Sequence, residues 1–198
     1  MKTFDVSYDY RCPFAKNIHL HLVTALEAGA DFDVNFVAWT MSQGYKAEGA
    51  PDVWNDPARD AELLSLAVSV SIRDQQPDRF LRAHATLFRA RHERGIRLVT
   101  MEQIEQVLAD QDIDLAMIRD DVASRRPHKV IGANFERYEA LEAFGVPTFV
   151  VGSDATFVRY MTGPTDDAQA SIKLIDSIVT LIEAQPELNE FKHTRLPM

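Results

Sequence analysis

This sequence contains very little cysteine and little glycine. Its 198 residues include one cysteine, Cys12, and eight glycines. A single cysteine cannot form a disulfide within the chain, so nothing indicates an oxidising compartment, and we expect a cytoplasmic protein. The few glycines form neither a phosphate-binding loop nor a nucleotide-binding fingerprint, so no bound nucleotide cofactor is expected.

Long apolar runs and an excess of positive charge are also missing. No run approaches the roughly 20 apolar residues that span a bilayer, and the first residues do not read as a secretion signal. The formal net charge is -9, with acids and bases interspersed. Neither nucleic acid nor an anionic membrane is therefore an expected partner. The six scattered histidines lack the spacing of a metal site, so no metal is expected either.

The first 49 residues predict a strand, a helix and a second strand. Apolar residues alternate over 3–8 and again over 33–39, as they do in strands. Between them, apolar residues recur at helical spacing from Pro13 to Gly29, and proline suits the first turn of a helix. Such a unit implies a right-handed crossover between parallel strands.

The remainder predicts a helical insertion followed by a return to strands. Nothing in residues 50–144 alternates like a strand, whereas capping signals open several helices there. Residues 148–151 form a buried strand, 156–161 pair back as a hairpin, and a last helix begins at Asp167. We therefore expect an α/β domain made of residues 1–49 and 145–198. Residues 50–144 would be an inserted helical subdomain that covers the Cys12 edge as a lid.

Cys12 stands immediately before a helix, a position that favours reactivity. The free N–H groups and the positive dipole end of a helix N-terminus stabilise a thiolate. Arg11 adds positive charge, while Asp9 opposes it. The sequence therefore predicts a Cys12 pKa below the ordinary value of about 8.5. A lone cysteine is also commonly a small buried apolar residue, and the position alone leaves both interpretations open.

A proline at the start of a strand is the second notable feature. Val146-Pro147 precedes the apolar run 148–151, although proline cannot donate to a strand ladder. A cis bond would leave the backbone of Val146 facing outward, free to bond an extended ligand. An ordinary strand-starting proline is the alternative, since only about 5–6% of such bonds are cis.

Together these features resemble a known family. Cys-Pro at the first helix, the inserted helices and Val-Pro-Thr before the third strand resemble the thioredoxin fold of the DsbA-like oxidoreductases. The tail, residues 186–197, is similar to that of the mycothiol-dependent nitroreductase group. The resemblance implies that Cys12 is the nucleophile, with Arg11, Pro13 and Phe14 around it. It also implies thiol binding by Val146, Pro147 and His92, although a histidine at a helix end is more often solvated or a partner of the helix dipole.

The sequence departs from the family pattern at one position. The usual motif is Cys-Pro-x-Cys, and here Ala15 stands where the second cysteine would be. A dithiol cycle within the chain is therefore impossible. The resemblance then implies a monothiol cycle, with mycothiol or glutathione as co-substrate and a small molecule or disulfide as acceptor. A homodimer is compatible with the sequence.

Two alternatives come from other functional classes. Kappa-class glutathione transferases and related isomerases resemble this arrangement, although they usually carry Ser-Pro at the Cys12 position. A non-catalytic thiol-binding protein is the second alternative, because replacement of the second cysteine by Ala15 is also compatible with lost chemistry.

Overall fold

The computed structural model describes residues 1–165, 167–193 and 195. Four strands and seven α-helices follow one another in this part of the chain. In chain order they are β1 (Lys2–Tyr8), α1 (Pro13–Glu27), β2 (Phe32–Ala38), α2 (Asp60–Gln75), α3 (Pro77–His92), α4 (Met101–Leu108), α5 (Leu115–Ala123), α6 (Arg126–Glu139), β3 (Thr148–Val151), β4 (Asp154–Phe157) and α7 (Ala168–Ala184). Among the described residues, no helix is long and apolar enough to cross a membrane.

The strands form one mixed sheet in the order β2-β1-β3-β4. β1 and β2 are parallel and in register along their whole length, from Lys2 opposite Phe32 to Tyr8 opposite Ala38. β3 runs antiparallel to β1, and β4 antiparallel to β3. The hairpin strand is therefore 154–157 rather than the predicted 156–161, because the tight turn at Gly152 returns the chain into pairing at once.

The alternation of β1 places two different surfaces on the two faces of the sheet. Phe4, Val6 and Tyr8 are buried on one face; the Tyr8 ring packs edge-on against a histidine of α1. Asp5 points the opposite way and forms an ion pair of 2.6 Å with Arg137 of α6. The sheet is thus covered by α1 on one face and by α6 on the other.

The helices between β2 and β3 are part of the main hydrophobic core. One continuous cluster of buried apolar side chains contains residues of β1, β2 and β3 and of all seven helices. α3 packs on α1, while α2 and α6 both contact β2. These helices therefore form a fixed wall of the domain. The subdomain boundaries at 49/50 and 144/145 stay a prediction.

Helix starts in this region follow the capping residues that the sequence predicts. The Thr100 side chain accepts a hydrogen bond from the backbone N–H of Gln103, and Asp114 accepts one from Met117. The Gln103 side chain accepts from the N–H of Val99, so this capping box closes one residue earlier than in its usual form.

Two histidines of α1 lie deeper than the sequence indicates. Their spacing predicts residues at the boundary of the apolar face, whereas both His19 and His21 are buried. His21 Nδ1 lies 2.9 Å from the hydroxyl of Ser171 on α7. The helices that pack on α1 cover both flanks of its apolar stripe. Partners on other elements satisfy both ring nitrogens of His19 and Nδ1 of His21, which would otherwise be costly to bury.

His19 belongs to a buried hydrogen-bonded chain that joins four elements. Its Nε2–H donates to the carbonyl of Ser7 (3.1 Å), which leaves Nδ1 to accept from Nε2–H of His84 (2.9 Å). His84 Nδ1 is then the acceptor for the Tyr10 hydroxyl (2.7 Å). The hydroxyl of Ser69 completes the chain, 2.7 Å from the Tyr10 hydroxyl. This pattern assigns neutral tautomers to both histidines.

Burial of this chain makes the stability of the protein depend on pH. Burial lowers the pKa of His19 to about 3 and the pKa of His84 well below its ordinary value. The folded protein keeps both rings neutral, whereas the unfolded chain takes up protons below about pH 6.5. The stabilisation is therefore complete above pH 6.5 and is lost as the pH falls from there towards 3.

We predict that the free energy of unfolding falls on acidification, by about 1.4 kcal/mol at pH 5.5 relative to pH 8 from His19 alone. Urea titrations at a series of pH values measure it. His19→Gln cannot take up the proton and should show a shallower pH dependence, whatever its stability at pH 8. His193→Gln, in the exposed tail, is the control and should retain the parent slope. Equal slopes for the parent and His19→Gln would contradict the assignment.

Candidate active site

Cys12 lies at the junction of a tight turn and α1. Its backbone N–H donates to the carbonyl of Asp9 (3.0 Å). This bond closes the turn of residues 9–12 after β1, which we call the thiol turn. Cys12 is the N-cap residue of α1, with an extended backbone (φ -88°, ψ 119°), and Pro13 is the first helical residue. The missing N–H of proline leaves no intrahelical bond unmade at this position. The thiol therefore sits beside the free N–H groups of the first turn, as the sequence predicts.

Arg11 does not supply the positive charge expected beside the thiol. Its guanidinium forms three hydrogen bonds with the buried carboxylate of Asp9, one of them at 2.9 Å. Further bonds go to the hydroxyls of Ser42 (2.8 Å) and Thr40 (3.1 Å), and Glu62 lies 3.9 Å away. The charge of Arg11 is thus neutralised by acidic residues, and its structural effect is to fix the turn that carries Cys12.

His92 lies behind the thiol turn, away from its open side. Its Nε2–H donates to the carbonyl of Tyr10 at 2.8 Å, and its ring stacks on Phe88 of the same helix. Burial lowers the pKa of His92 and so keeps the ring neutral. The structure therefore places His92 as a support for residue 10 rather than as a group that faces the ligand.

The segment before β3 lies directly against Cys12. The Val146–Pro147 peptide bond is cis. The Cys12 thiol donates to the carbonyl of Val146, with 3.2 Å between Sγ and the oxygen. Thr148 holds this segment in place: its N–H donates to the Ser7 hydroxyl (2.9 Å), and its hydroxyl donates to the carbonyl of Gly145 (2.8 Å).

An open cavity of about 570 Å³ exposes the thiol. The lining residues come from the start of α1, from β4 and from four connecting segments: Arg11, Cys12, Pro13, Phe14, Met41, Tyr45, Phe144, Gly145, Val146, Phe157 and Arg159. Of the residues predicted to bind ligand, Pro147 and His92 are not among them. Phe144 is the one lining residue that belongs to the predicted insertion, 50–144, and no described residue of α2–α6 lines the cavity. The role of the insertion as a lid stays a prediction.

Neither a protein-family model nor a curated protein sequence matches the chain. Solved structures do. NmDsbA1, an oxidoreductase of Neisseria meningitidis, aligns with a TM-score of 0.60 at 15% identity, over 93% of this chain and 85% of that one. DsbM of Pseudomonas aeruginosa, a cytosolic disulfide reductase solved with GSH, aligns at 0.61 and 17%, over 94% and 100%. MdbA of Actinomyces oris, a thiol-disulfide oxidoreductase, aligns at 0.62 and 16%, over 90% and 78%.

The chain has the DsbA-like thioredoxin fold. At these identities the likeness establishes the fold and its helical insertion, and it leaves the chemistry to be argued from the site. Three residues after Cys12, in the first turn of α1, the chain has Ala15, whose methyl group is fully buried.

The acidity of the Cys12 thiol differs from the sequence prediction. Burial raises the pKa of Cys12 above its ordinary value. The N–H groups of Phe14 and Ala15 act in the opposite direction, as the helix N-terminus predicts, but they do not outweigh burial. The charge of Asp9 raises the pKa further, and the thiol proton is itself engaged by the Val146 carbonyl. The predicted low pKa is therefore wrong for this DsbA-like site.

Arg159 is the charged site residue that sequence reasoning missed, together with the uncharged lining residues Met41, Tyr45, Phe144, Gly145 and Phe157. It follows β4 and lines the cavity, and its positive charge lowers the pKa of Cys12. Its guanidinium carbon lies 5.1 Å from the centre of the Phe14 ring, within the range of a cation–π contact. No local motif marks Arg159, because only the pairing of β4 with β3 brings it to the thiol.

We predict that Cys12 in the reduced protein forms its thiolate with a midpoint above about 8.5, the ordinary value for cysteine. The rate of alkylation by iodoacetamide as a function of pH measures that midpoint. Asp9→Asn should lower it by removing a negative charge, and Arg159→Gln should raise it. A parent midpoint well below 8.5, or the opposite order of the two variants, would contradict this account of the electrostatics.

Proposed function

We propose that this protein is a monothiol disulfide reductase that uses an external low-molecular-weight thiol. Cys12 is the nucleophile, and the apolar cavity beside it receives the acceptor. The backbone of Val146, held by the Thr148 contacts, positions the sulfur that reacts with Cys12. The observation that carries the proposal is a lone thiol that opens into a cavity, at a helix N-terminus of a DsbA-like fold without a second cysteine.

The reaction balances as three thiol–disulfide exchanges. The Cys12 thiolate attacks one sulfur of the acceptor disulfide, so that a mixed disulfide forms and the other half leaves as a thiolate. A small thiolate then attacks the Cys12 sulfur and releases the second half of the acceptor. A second small thiolate attacks the small-thiol sulfur, restores the Cys12 thiolate and leaves as a small-molecule disulfide. Two small thiols are oxidised for each acceptor disulfide reduced.

The raised pKa of Cys12 supports reduction rather than oxidation. A strongly oxidising DsbA lowers its thiol pKa to about 3.5, which makes the cysteine a good leaving group. A thiol of raised pKa is instead a strong nucleophile in its ionised fraction and a slower leaving group, so the third exchange, in which Cys12 leaves, is expected to limit turnover. Cys12 is therefore suited to attack an oxidised acceptor and unsuited to donate a disulfide.

The small thiol and the location follow from the same cycle. Turnover needs a continuous supply of reduced thiol, which a cytoplasm provides, and we propose that location. Glutathione is supported by DsbM, the structural neighbour solved with GSH. Mycothiol is supported by the tail, residues 186–197, which is similar to that of the mycothiol-dependent nitroreductase group. Residues 194, 196 and 197 of this tail lie outside the described residues.

The test is to trap and then turn over the mixed disulfide. Incubation with glutathione disulfide or mycothiol disulfide should add one thiol to the intact mass at Cys12. With 2-hydroxyethyl disulfide as the acceptor, either thiol should support steady reduction, and Cys12→Ser should abolish both results. No adduct, or reduction by the parent without added thiol, would refute the monothiol cycle.

One observation favours a second candidate, a glutathione transferase or isomerase. The Cys12 thiol is protonated and acts as a hydrogen-bond donor. A donor at this position could stabilise the thiolate of a bound glutathione without forming a disulfide. Cys12→Ser distinguishes the two functions, since a hydroxyl also donates: a transferase retains conjugation activity with this variant, and a reductase loses all turnover.

Restoring the second cysteine should change the requirement for external thiol. Cys12 has an extended backbone and stands outside the regular helix, so its side chain can approach residue 15. We predict that Ala15→Cys forms an intramolecular disulfide on mild oxidation, as counted by free thiols. It should also reduce insulin in single turnover without added small thiol, which the parent should not do.

Ala15→Ser is the matched control, because it adds a group of similar size to the same buried position without a thiol. It should keep one free thiol and the parent's requirement for small thiol. Since Ala15 is fully buried, both variants are expected to lose some stability, about 1–3 kcal/mol. Two free thiols in monomeric, oxidised Ala15→Cys would show that position 15 is not the resolving site.

A further inference from the structure

Among the described residues, the cavity beside Cys12 contains one cation that forms no ion pair with an acid. Only Arg11 and Arg159 carry charge among its lining residues. Arg11 is bound to Asp9 and lies near Glu62. Within residues 1–165, 167–193 and 195, no ion pair involves Arg159. In a protein of net charge -9, the reactive sulfur thus faces a locally positive cavity.

The other walls of the cavity are mainly aromatic, and two of the rings are exposed. Tyr45 and Phe144 are 77% and 75% exposed, whereas many other aromatic rings of this protein are buried in the core. The rings of Phe144 and Phe157 are in contact, with centroids 5.1 Å apart. On the opposite side, Phe14 lies under the guanidinium of Arg159. Flat apolar surfaces next to a planar cation fit a ligand that is itself apolar or aromatic and carries an anionic group.

We propose that Arg159 is the specificity-determining residue of the site and that it selects acceptors with a carboxylate on an apolar or aromatic frame. The inference rests on the proposed function and names its acceptor class. The carboxylate binds the guanidinium, the frame lies against Phe144 and Phe157, and the disulfide sulfur meets Cys12. Mycothiol has no ionised group besides its thiol, so in a mycothiol-dependent cycle the cation serves the acceptor rather than the resolving thiol.

The test follows only the first exchange, in which Cys12 attacks the disulfide and an aryl thiolate leaves. Two aromatic disulfides differ in charge: 5,5′-dithiobis(2-nitrobenzoate) is anionic and 2,2′-dithiodipyridine is neutral. Stopped-flow absorbance gives the rate of release of each leaving group. Dividing each rate by that of a cysteine peptide under the same conditions removes the intrinsic reactivity of the reagent.

We expect the parent to prefer the anionic reagent, and Arg159→Gln to lower the anionic-to-neutral rate ratio about fivefold, the size of an exposed ion pair. Using the ratio matters, because a change in the pKa of Cys12 alters the rates with both reagents equally. Arg159→Lys should retain most of the preference. Raising the salt concentration to about 0.5 M should weaken it in the parent.

Arg97→Gln is the control for net charge, since Arg97 is exposed and is not a lining residue of the cavity. It should leave the ratio unchanged. An unchanged ratio in Arg159→Gln, or a fall equalled by Arg97→Gln, would overturn the assignment. These outcomes are independent of turnover: the proposed function fails if Cys12 forms no mixed disulfide or completes no cycle, whereas this inference fails only on the charge ratio.

Discussion

The buried hydrogen-bonded chain from Tyr10 through His84 and His19 to Ser7 holds together the parts of the molecule on which the site depends. It joins β1, the thiol turn, α1 and α3, and the hydroxyl of Ser7 extends it to the segment before β3. Each bond contributes only about 1 kcal/mol net, but an orphaned buried partner costs more. The backbone on both sides of the Cys12 sulfur is therefore anchored to one hydrogen-bond network, in which the loss of one bond weakens the others.

Opposing effects act on the pKa of the Cys12 thiol, and burial is the largest of them. The helix N-terminus and Arg159 favour the thiolate, while burial, Asp9 and the Val146 carbonyl favour the protonated form. Arg11 takes no part, since Asp9 neutralises it. The balance matters chemically, because a thiol of higher pKa holds a mixed disulfide more firmly and is a weaker oxidant. A few charges and the depth of the sulfur therefore set the acidity of Cys12.

The inserted helices support the site from the side of the thiol turn that faces the core. They supply His84, His92 and Ser69 to the underside of the thiol turn and share the hydrophobic core with the sheet. The open side is made by the loop after β2 and by the segments flanking β3 and β4. The buried network and the loops that line the cavity thus lie in different parts of the chain, so that these loops can vary without disturbing the buried network.

The sequence by itself determined the elements and the place of the thiol: the strand–helix–strand unit, the helical insertion, Pro13 at the start of α1, and the caps at Thr100 and Asp114. These features depend on residues close together along the chain, where periodicity and capping act. The depth of His19 and the pKa of Cys12 were decided by tertiary structure alone. Tertiary structure also decided that Arg159, rather than Arg11, is the cation that lowers the pKa of Cys12. Burial and charge act through space, and strand pairing and helix packing bring distant residues together.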